Sequence, residues 1–333
     1  MAGAGALGLS IALSLADAGL AVQVFDPAPA GQNASGVAAG MLAPVFEALL
    51  DPRAAPDLDL LLAARDLWPV LAQRAGITLD RTGALALGEA DELAALEARA
   101  AACGLDLQRL APAEVAALAP AVAAGPALLA SGDWRIDAAQ AVAALRAAAG
   151  AAGVDFRQAR CDGSEDADLW VVATGPERGL AGLAPELSAL SPIKGHILRA
   201  PGVAYAGAVV RCGGTYLAPS ERGLVIGATM EAGRADLVVD PARVEGLLAA
   251  GVRLFPALRG ADVVAETGVR AATADGLPMV GRAARPGVLL AAGARRNGWL
   301  LAPLAAAMIT AYATDADPGP WAGRLEPGRF DAG

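Results

Sequence analysis

Three patterns of hydrophobic and polar residues run along the chain. The first is helical. Leu7, Ile11, Leu15 and Ala18 recur at helical spacing, and Gly19 suits a helix C-cap. Similar spacing predicts helices from Phe46 to about Arg74, with a break at Pro52 and Pro56. It also predicts helices over 89–103, closed by Gly104, from about Ala138 to Ala149, and a short one in PAEVAALAP. The second pattern is the brief apolar run. AVQVFD (21–26) reads as a strand buried on both faces, and ADLWVVATG (167–175) as a strand running into a Thr-Gly turn. GALAL (83–87), LDLQRL and GVLLAAG (287–293) are further strands, the last leading through a loop into GWLLAPLAAAMITAYA, a helix. The third pattern is alternation. IKGHILRA, AYAGAVVR, TYLAPSERGLVIGATM and ADVVAETGVRAA, divided by Gly and Pro, suggest a largely antiparallel sheet.

This order predicts an α/β chain. Segments 1–75, 132–190 and 264–333 form a dinucleotide-binding domain with a parallel sheet and helices. Segments 76–131 and 191–263 form a substrate domain, with the largely antiparallel sheet, inserted into it.

The dinucleotide reading rests on MAGAGALGLS at the start. Gly3, Gly5 and Gly8 make a GxGxxG pattern, followed by a helix, a strand and then Asp26. Gly3 allows the tight turn, Gly5 the approach of a pyrophosphate, and Gly8 the close packing of helix on sheet. The helix N-terminus offers N–H groups and partial positive charge to phosphates. Asp26 is placed to accept hydrogen bonds from ribose hydroxyls, and no Arg follows it to favour a 2′-phosphate. NAD or FAD is therefore expected rather than NADP. The run NASGVAAGMLAP is rich in small residues, as a backbone lying against a flat group requires.

Composition narrows the partners. The 333 residues carry a formal net charge of −9, which argues against nucleic acid. Lys194 is the only lysine. Cys103, Cys161 and Cys212 match no metal or redox spacing and read as inert, part-buried thiols in a reducing cytoplasm. One histidine, His196, excludes a multi-histidine metal site and disfavours a Ser-His-Asp triad, so no metal is expected. The apolar start has no basic flank, and GWLLAPLAAAMITAYA is too short to span a bilayer, so no membrane span is expected. Lys194 and His196 flank a glycine in a strand-start turn and receive no catalytic role.

Taken together, the words GAGALG (3–8), AAGMLAP (38–44), ADLWVVATG (167–175), PIKG (192–195), YLAP (216–219), VIGATME (225–231), GVRAATADGLPMVG (268–281), RNGWLLAP (296–303) and LEPGRF (325–330) resemble the D-amino-acid oxidase superfamily of flavoenzymes. Within it they are most similar to the glycine oxidases of thiazole (thiamine) biosynthesis. The likeness covers nearly the whole chain. It implies non-covalent FAD with its ADP half on the glycine loop, held by Gly3, Gly5, Ala6, Gly8, Asp26, Ala173, Thr174 and Gly175. The flavin ring would lie against Ala38, Ala39, Gly40 and Met41 on one side and Arg296, Asn297, Gly298 and Trp299 on the other. By the same resemblance, Arg270 clamps the substrate carboxylate, Tyr216 helps to hold it, and Met41, Met230 and Arg296 line a small pocket. The implied reaction is hydride transfer from the amine Cα to the flavin, giving an imine, with O2 reduced to hydrogen peroxide. The imine feeds thiazole formation or hydrolyses. Partners would then be a small amino acid and O2, in the cytoplasm, with homo-oligomerisation left open.

Three departures from the family pattern stand out. The strand that should precede the glycine loop is missing, so the true start is expected to lie upstream of Met1. Asp26 replaces a longer Glu, and Ala294 replaces a His in GARRNG. Two alternatives stay open. One is a D-amino-acid or sarcosine oxidase, or a dehydrogenase passing electrons to a quinone. The other is a non-catalytic flavin-binding protein or truncated remnant.

Overall fold

The computed structural model describes residues 1–330. Two sheets organise them. In the first, Trp170–Val172 pairs in parallel with Val288–Ala292, which pairs antiparallel with Met279–Arg282. Gln23–Phe25 pairs in parallel with Asp155–Arg157. The first three residues join these two groups. Ala2 bridges Phe25 on one side and Val172 on the other, both in parallel. The backbone bonds run Ala2 N–H to Val171 O (2.9 Å), Gly3 N–H to Phe25 O (2.8 Å) and Phe25 N–H to Met1 O (2.9 Å). The strand expected to be missing is thus represented by a three-residue stub in its central place.

Alanine and glycine let the helices on this sheet approach closely. Ala6–Asp17 packs against Gly298–Ala313 and Ala138–Ala151, with Ile11, Ala12, Ala302, Ile309 and Ala141 all buried. Small side chains permit that approach without voids. The apolar Gly298–Ala313 segment is therefore an interior helix, and among the described residues no helix is long and apolar enough to cross a membrane.

The second sheet has nine strands. Its order is Glu231–Ala232, Ser191–Ala200, Leu224–Gly227, Thr215–Ala218, Val209–Cys212, Ala84–Leu87, Ala127–Ala130 and Gln108–Leu110, with Val264–Ala272 also on Ser191–Ala200. All pairings are antiparallel except that of Val209–Cys212 with Ala84–Leu87. Val264–Ala272, grouped from sequence with the dinucleotide-binding segments, pairs along its whole length with Ser191–Ala200 in this sheet.

Some local expectations change. Gln23 is exposed and Phe25 half-buried, so the AVQVFD strand is buried chiefly through Val24; its outer neighbour is the short, solvent-facing Asp155–Arg157. Cys103 is exposed rather than part-buried, because it caps an exposed helix end. Lys194 and His196 lie well inside the ten-residue Ser191–Ala200 strand, both fully buried, and not in a turn. Lys194 Nζ donates to Asp236 Oδ1 (2.5 Å) and to the Val238 carbonyl. His196 Nε2 accepts from the Asp240 N–H (3.0 Å), which leaves Nδ1 to face Thr229 Oγ1 (3.1 Å) and Glu231 Oε1 (3.0 Å). These bonds fasten the 229–240 segment along the strand. Strands Ala127–Ala130 and Asp155–Arg157 and helix Pro241–Leu254 complete the fold without having been marked by the hydrophobic pattern.

Candidate active site

A cleft of about 900 Å3 runs from the glycine loop to the edge of the nine-stranded sheet. Gly3, Gly5 and Ala6 line one end with Asp26, Ala173, Thr174 and Gly175; Arg270, Arg296, Gly298 and Trp299 line the other. A second cavity of about 190 Å3 adjoins it, lined by Met41, Tyr216, Met230, Arg211, Arg270 and Arg296 among others. Arg270, Arg296, Trp299 and Ala38 belong to both. The residues expected to hold a dinucleotide and those expected to hold a substrate therefore converge on one junction.

The loop fits a pyrophosphate for steric reasons. A Cβ on Gly3 would lie 2.2 Å from the Ala173 carbonyl oxygen, and one on Gly8 would lie 2.0 Å from the Gly3 carbonyl oxygen. Any side chain at either position would push the helix off the sheet. Gly8 thus sits behind the loop and is a packing residue, not a cleft residue. Asp26 braces the turn: Oδ2 accepts from Ala4 N–H (2.7 Å) and Oδ1 from Ala28 N–H (2.9 Å). Each carboxylate oxygen retains a lone pair for a ribose hydroxyl in the cleft. Ser35, which sequence reading passed over, accepts from Ala6 N–H through Oγ (2.9 Å), while its carbonyl accepts from Trp299 Nε1 (3.0 Å). Asn33 caps the short Ala34–Val37 helix that carries Ser35.

On the other wall, Ala38 reaches both cavities, whereas Ala39, Gly40 and Met41 line the smaller one. The turn at 293–297 is clamped by helix Pro44–Leu50 and its C-cap residue Asp51. Glu47 Oε1 accepts from Arg296 Nε (2.5 Å) and Asn297 Nδ2 (3.1 Å), and Asp51 pairs with Arg295 and with Arg296 (3.1 Å). Burial works against ionised Asp51, but the Arg295 hydrogen bond and the neighbouring positive charges hold its carboxyl below the ordinary value. Arg296, expected as a pocket cation, is therefore neutralised. It forms a wall of the cavity, with Nη1 3.8 Å from Met230 Sδ. Neither Glu47 nor Asp51 was singled out from sequence. Their four-residue spacing on one helical face was the available signal.

Arg270 differs. It forms no ion pair among the described residues, and its one hydrogen bond is a long one, Nη1 to the Thr229 carbonyl at 3.4 Å. Burial pushes its guanidinium below the ordinary pKa; Tyr216 opposes that, and Arg296 and Arg295 reinforce it. Two glycines make room here. A Cβ on Gly195 would lie 2.4 Å from Arg270 Nη1, and a Cβ on Gly227 would lie 2.2 Å from the Tyr216 hydroxyl. Both side chains thus lie flat across the sheet and face the cavity. Burial raises the Tyr216 phenol, so it remains a neutral donor.

Comparisons with known proteins match most of the chain. The model of the DAO family, FAD dependent oxidoreductase, matches residues 2–312. The chain is 32% identical to the glycine oxidase of Geobacillus kaustophilus, over 92% of this chain and 90% of that one. It superposes on the crystal structure of glycine oxidase from that organism with a TM-score of 0.84, at 29% identity, covering 99% of this chain and 97% of the other. It is also 32% identical to the bifunctional protein ThiO/ThiG of Synechocystis sp., over 60% of this chain and 33% of that protein. Because the likeness extends from the glycine loop through the inserted sheet to the last long helix, this chain belongs to the FAD-dependent oxidoreductase (DAO) family.

Proposed function

We propose that the chain oxidises glycine or a similarly small amino acid to its imine, producing hydrogen peroxide, in service of thiazole assembly for thiamine. The observation that carries the reading is Arg270, a half-buried guanidinium without a carboxylate partner among the described residues, at the junction of the two cavities. A planar guanidinium gives a carboxylate two parallel hydrogen bonds and so fixes the adjacent Cα.

The glycine loop, Asp26, Ser35 and the 173–175 turn would hold FAD, which when bound would supply a two-electron acceptor for the Cα hydride, with O2 as the final acceptor. The residues supply position and field. Arg270 holds the carboxylate, and the neutral Tyr216 phenol donates to it. Met41, Met230 and Trp299 give the cavity apolar walls. Hydride departure requires the free amine, and the positive charge of Arg270 lowers the pKa of a bound ammonium. The N-terminus of the Gly298–Ala313 helix, which borders the cleft, adds positive potential. With water, the imine released from glycine gives glyoxylate and ammonia.

The test is peroxide formation by the yellow holoprotein on glycine, sarcosine and small D-amino acids. Peroxide on at least one of these supports the reading. A flavin-loaded protein inert toward all of them overturns it.

A further inference from the structure

Arg211 has no role in the account so far, yet it stands in the same cavity as Arg270. It lies on Val209–Cys212, directly opposite Tyr216 in the antiparallel pairing, so both side chains stand on one face of the sheet. Its hydrogen-bonding capacity is almost unused. Nε is buried without a partner, and Nη2 reaches only the Met41 thioether at 3.4 Å, a weak acceptor. The guanidinium carbon lies 5.9 Å from the Phe46 ring centroid. Asp133 feels its charge but forms no ion pair with it; both Asp133 oxygens are committed to the Val45 and Phe46 N–H groups (2.7 and 3.1 Å). Of the three arginines lining this cavity, Arg296 is neutralised by Glu47 and Asp51, while Arg270 and Arg211 are not.

Two guanidiniums without carboxylate partners in one small cavity exceed what a single carboxylate satisfies. A buried charge is ordinarily paired. The cavity, at about 190 Å3, is far larger than the roughly 10–15 Å3 needed for one water. We propose that Arg211 binds a second carboxylate of the substrate, so that this site accepts small amines bearing two carboxylates, one on Arg270 and one on Arg211. The proposal rests on the oxidase reading above and narrows its substrate class.

Two matched pairs test it: iminodiacetate against sarcosine, and D-aspartate against D-alanine. The holoprotein is expected to prefer the dicarboxylate in at least one pair by about tenfold or more in kcat/KM, and Arg211→Gln to reduce that preference by at least about tenfold, as loss of a buried charge partner does. Arg211→Lys, which keeps the charge and guards against misfolding, should retain part of it. Wild-type holoprotein without preference in either pair, or preference that survives in Arg211→Gln, overturns the proposal. Succinate against propionate, read as a shift in melting midpoint, decides the case if no amine is oxidised. Greater stabilisation by succinate that disappears in Arg211→Gln supports the second carboxylate site even as the oxidase reading fails. Equal stabilisation by the two acids, or a succinate effect retained in Arg211→Gln, overturns it.

Discussion

Arg270 and Arg296 are both arginines beside one cavity, and their surroundings give them opposite roles. Arg296 spends its charge on Glu47 and Asp51, whereas Arg270 has only a long bond to the Thr229 carbonyl. Arg270→Ala is expected to leave FAD bound and to cost about 2–5 kcal/mol of substrate interaction, the range for removing one partner of a buried charge pair. That is about 1.5 to 3.7 decades in glycine kcat/KM. Arg270→Lys should recover only part of the loss, since a point charge lacks the two-pronged geometry. Steady-state kinetics on both variants, with flavin content measured alongside, check this; a loss of less than about threefold in Arg270→Ala would remove the clamp. Gly195→Ala offers an independent check without altering any charge. Its Cβ would crowd Arg270 Nη1 at 2.4 Å and the Thr229 carbonyl oxygen at 2.8 Å, so the guanidinium must move. Glycine kcat/KM should fall by about tenfold or more, since misplacement by even an ångström is costly, with the flavin spectrum unchanged. Arg270, Tyr216 and the two methionines were legible because they stand inside distinctive words of the sequence. Arg211 was not, because its meaning lies in a cross-strand register with Tyr216 that no local pattern encodes.

At the scale of elements, most helices and strands followed from spacing, helix Pro241–Leu254 being the longest that did not, and the short strands missed have a physical cause. Asp155–Arg157 and Ala127–Ala130 are only three and four residues long and lack a distinctive alternation. The word GVRAATADGLPMVG proves to be two devices. Arg270 serves the cavity, while Asp275 holds Arg329 of LEPGRF (2.8 Å) and so ties the tail to the sheet. Helix Pro44–Leu50 is likewise positioned from outside itself: buried Asp133 accepts from the N–H groups of Val45 and Phe46. Burial raises the Asp133 pKa to about 6, against the lowering effect of Arg211 and of those two hydrogen bonds. A carboxyl whose folded pKa is raised binds more protons in the native state than in the unfolded one. Its contribution is therefore most favourable below the unfolded value and declines as pH rises toward 6. Relative to Asp133→Asn, the wild-type protein should lose up to about 3 kcal/mol of unfolding free energy between roughly pH 4 and 6. Urea titrations across that interval measure it; parallel pH profiles for the two proteins would contradict the assignment.

For the molecule as a whole, the cleft exists because a parallel sheet with its glycine loop meets the edge of a second sheet, and because the 293–297 turn is clamped against helix Pro44–Leu50. The composition hid part of this. An Ala- and Gly-rich chain makes GxGxxG a weak signal by itself, and only the following helix, strand and Asp26 gave it weight. Asp26 braces the loop through the Ala4 N–H while facing the cleft. Asp26→Ala is expected to fold but to retain less FAD through gel filtration than wild type, with no gain on adding NAD; full retention would separate Asp26 from the cofactor. In the proposed reaction this cleft brings an amino-acid Cα to a bound flavin, with Arg270 holding the carboxylate. Its most direct measurement is the visible spectrum of the purified yellow protein before and after anaerobic addition of glycine. The oxidised-flavin absorbance is expected to be lost, to return when air is admitted, and to bleach much more slowly in Arg270→Ala. An oxidised spectrum unchanged by glycine, sarcosine and the small D-amino acids, in a protein that dithionite readily bleaches, would contradict it.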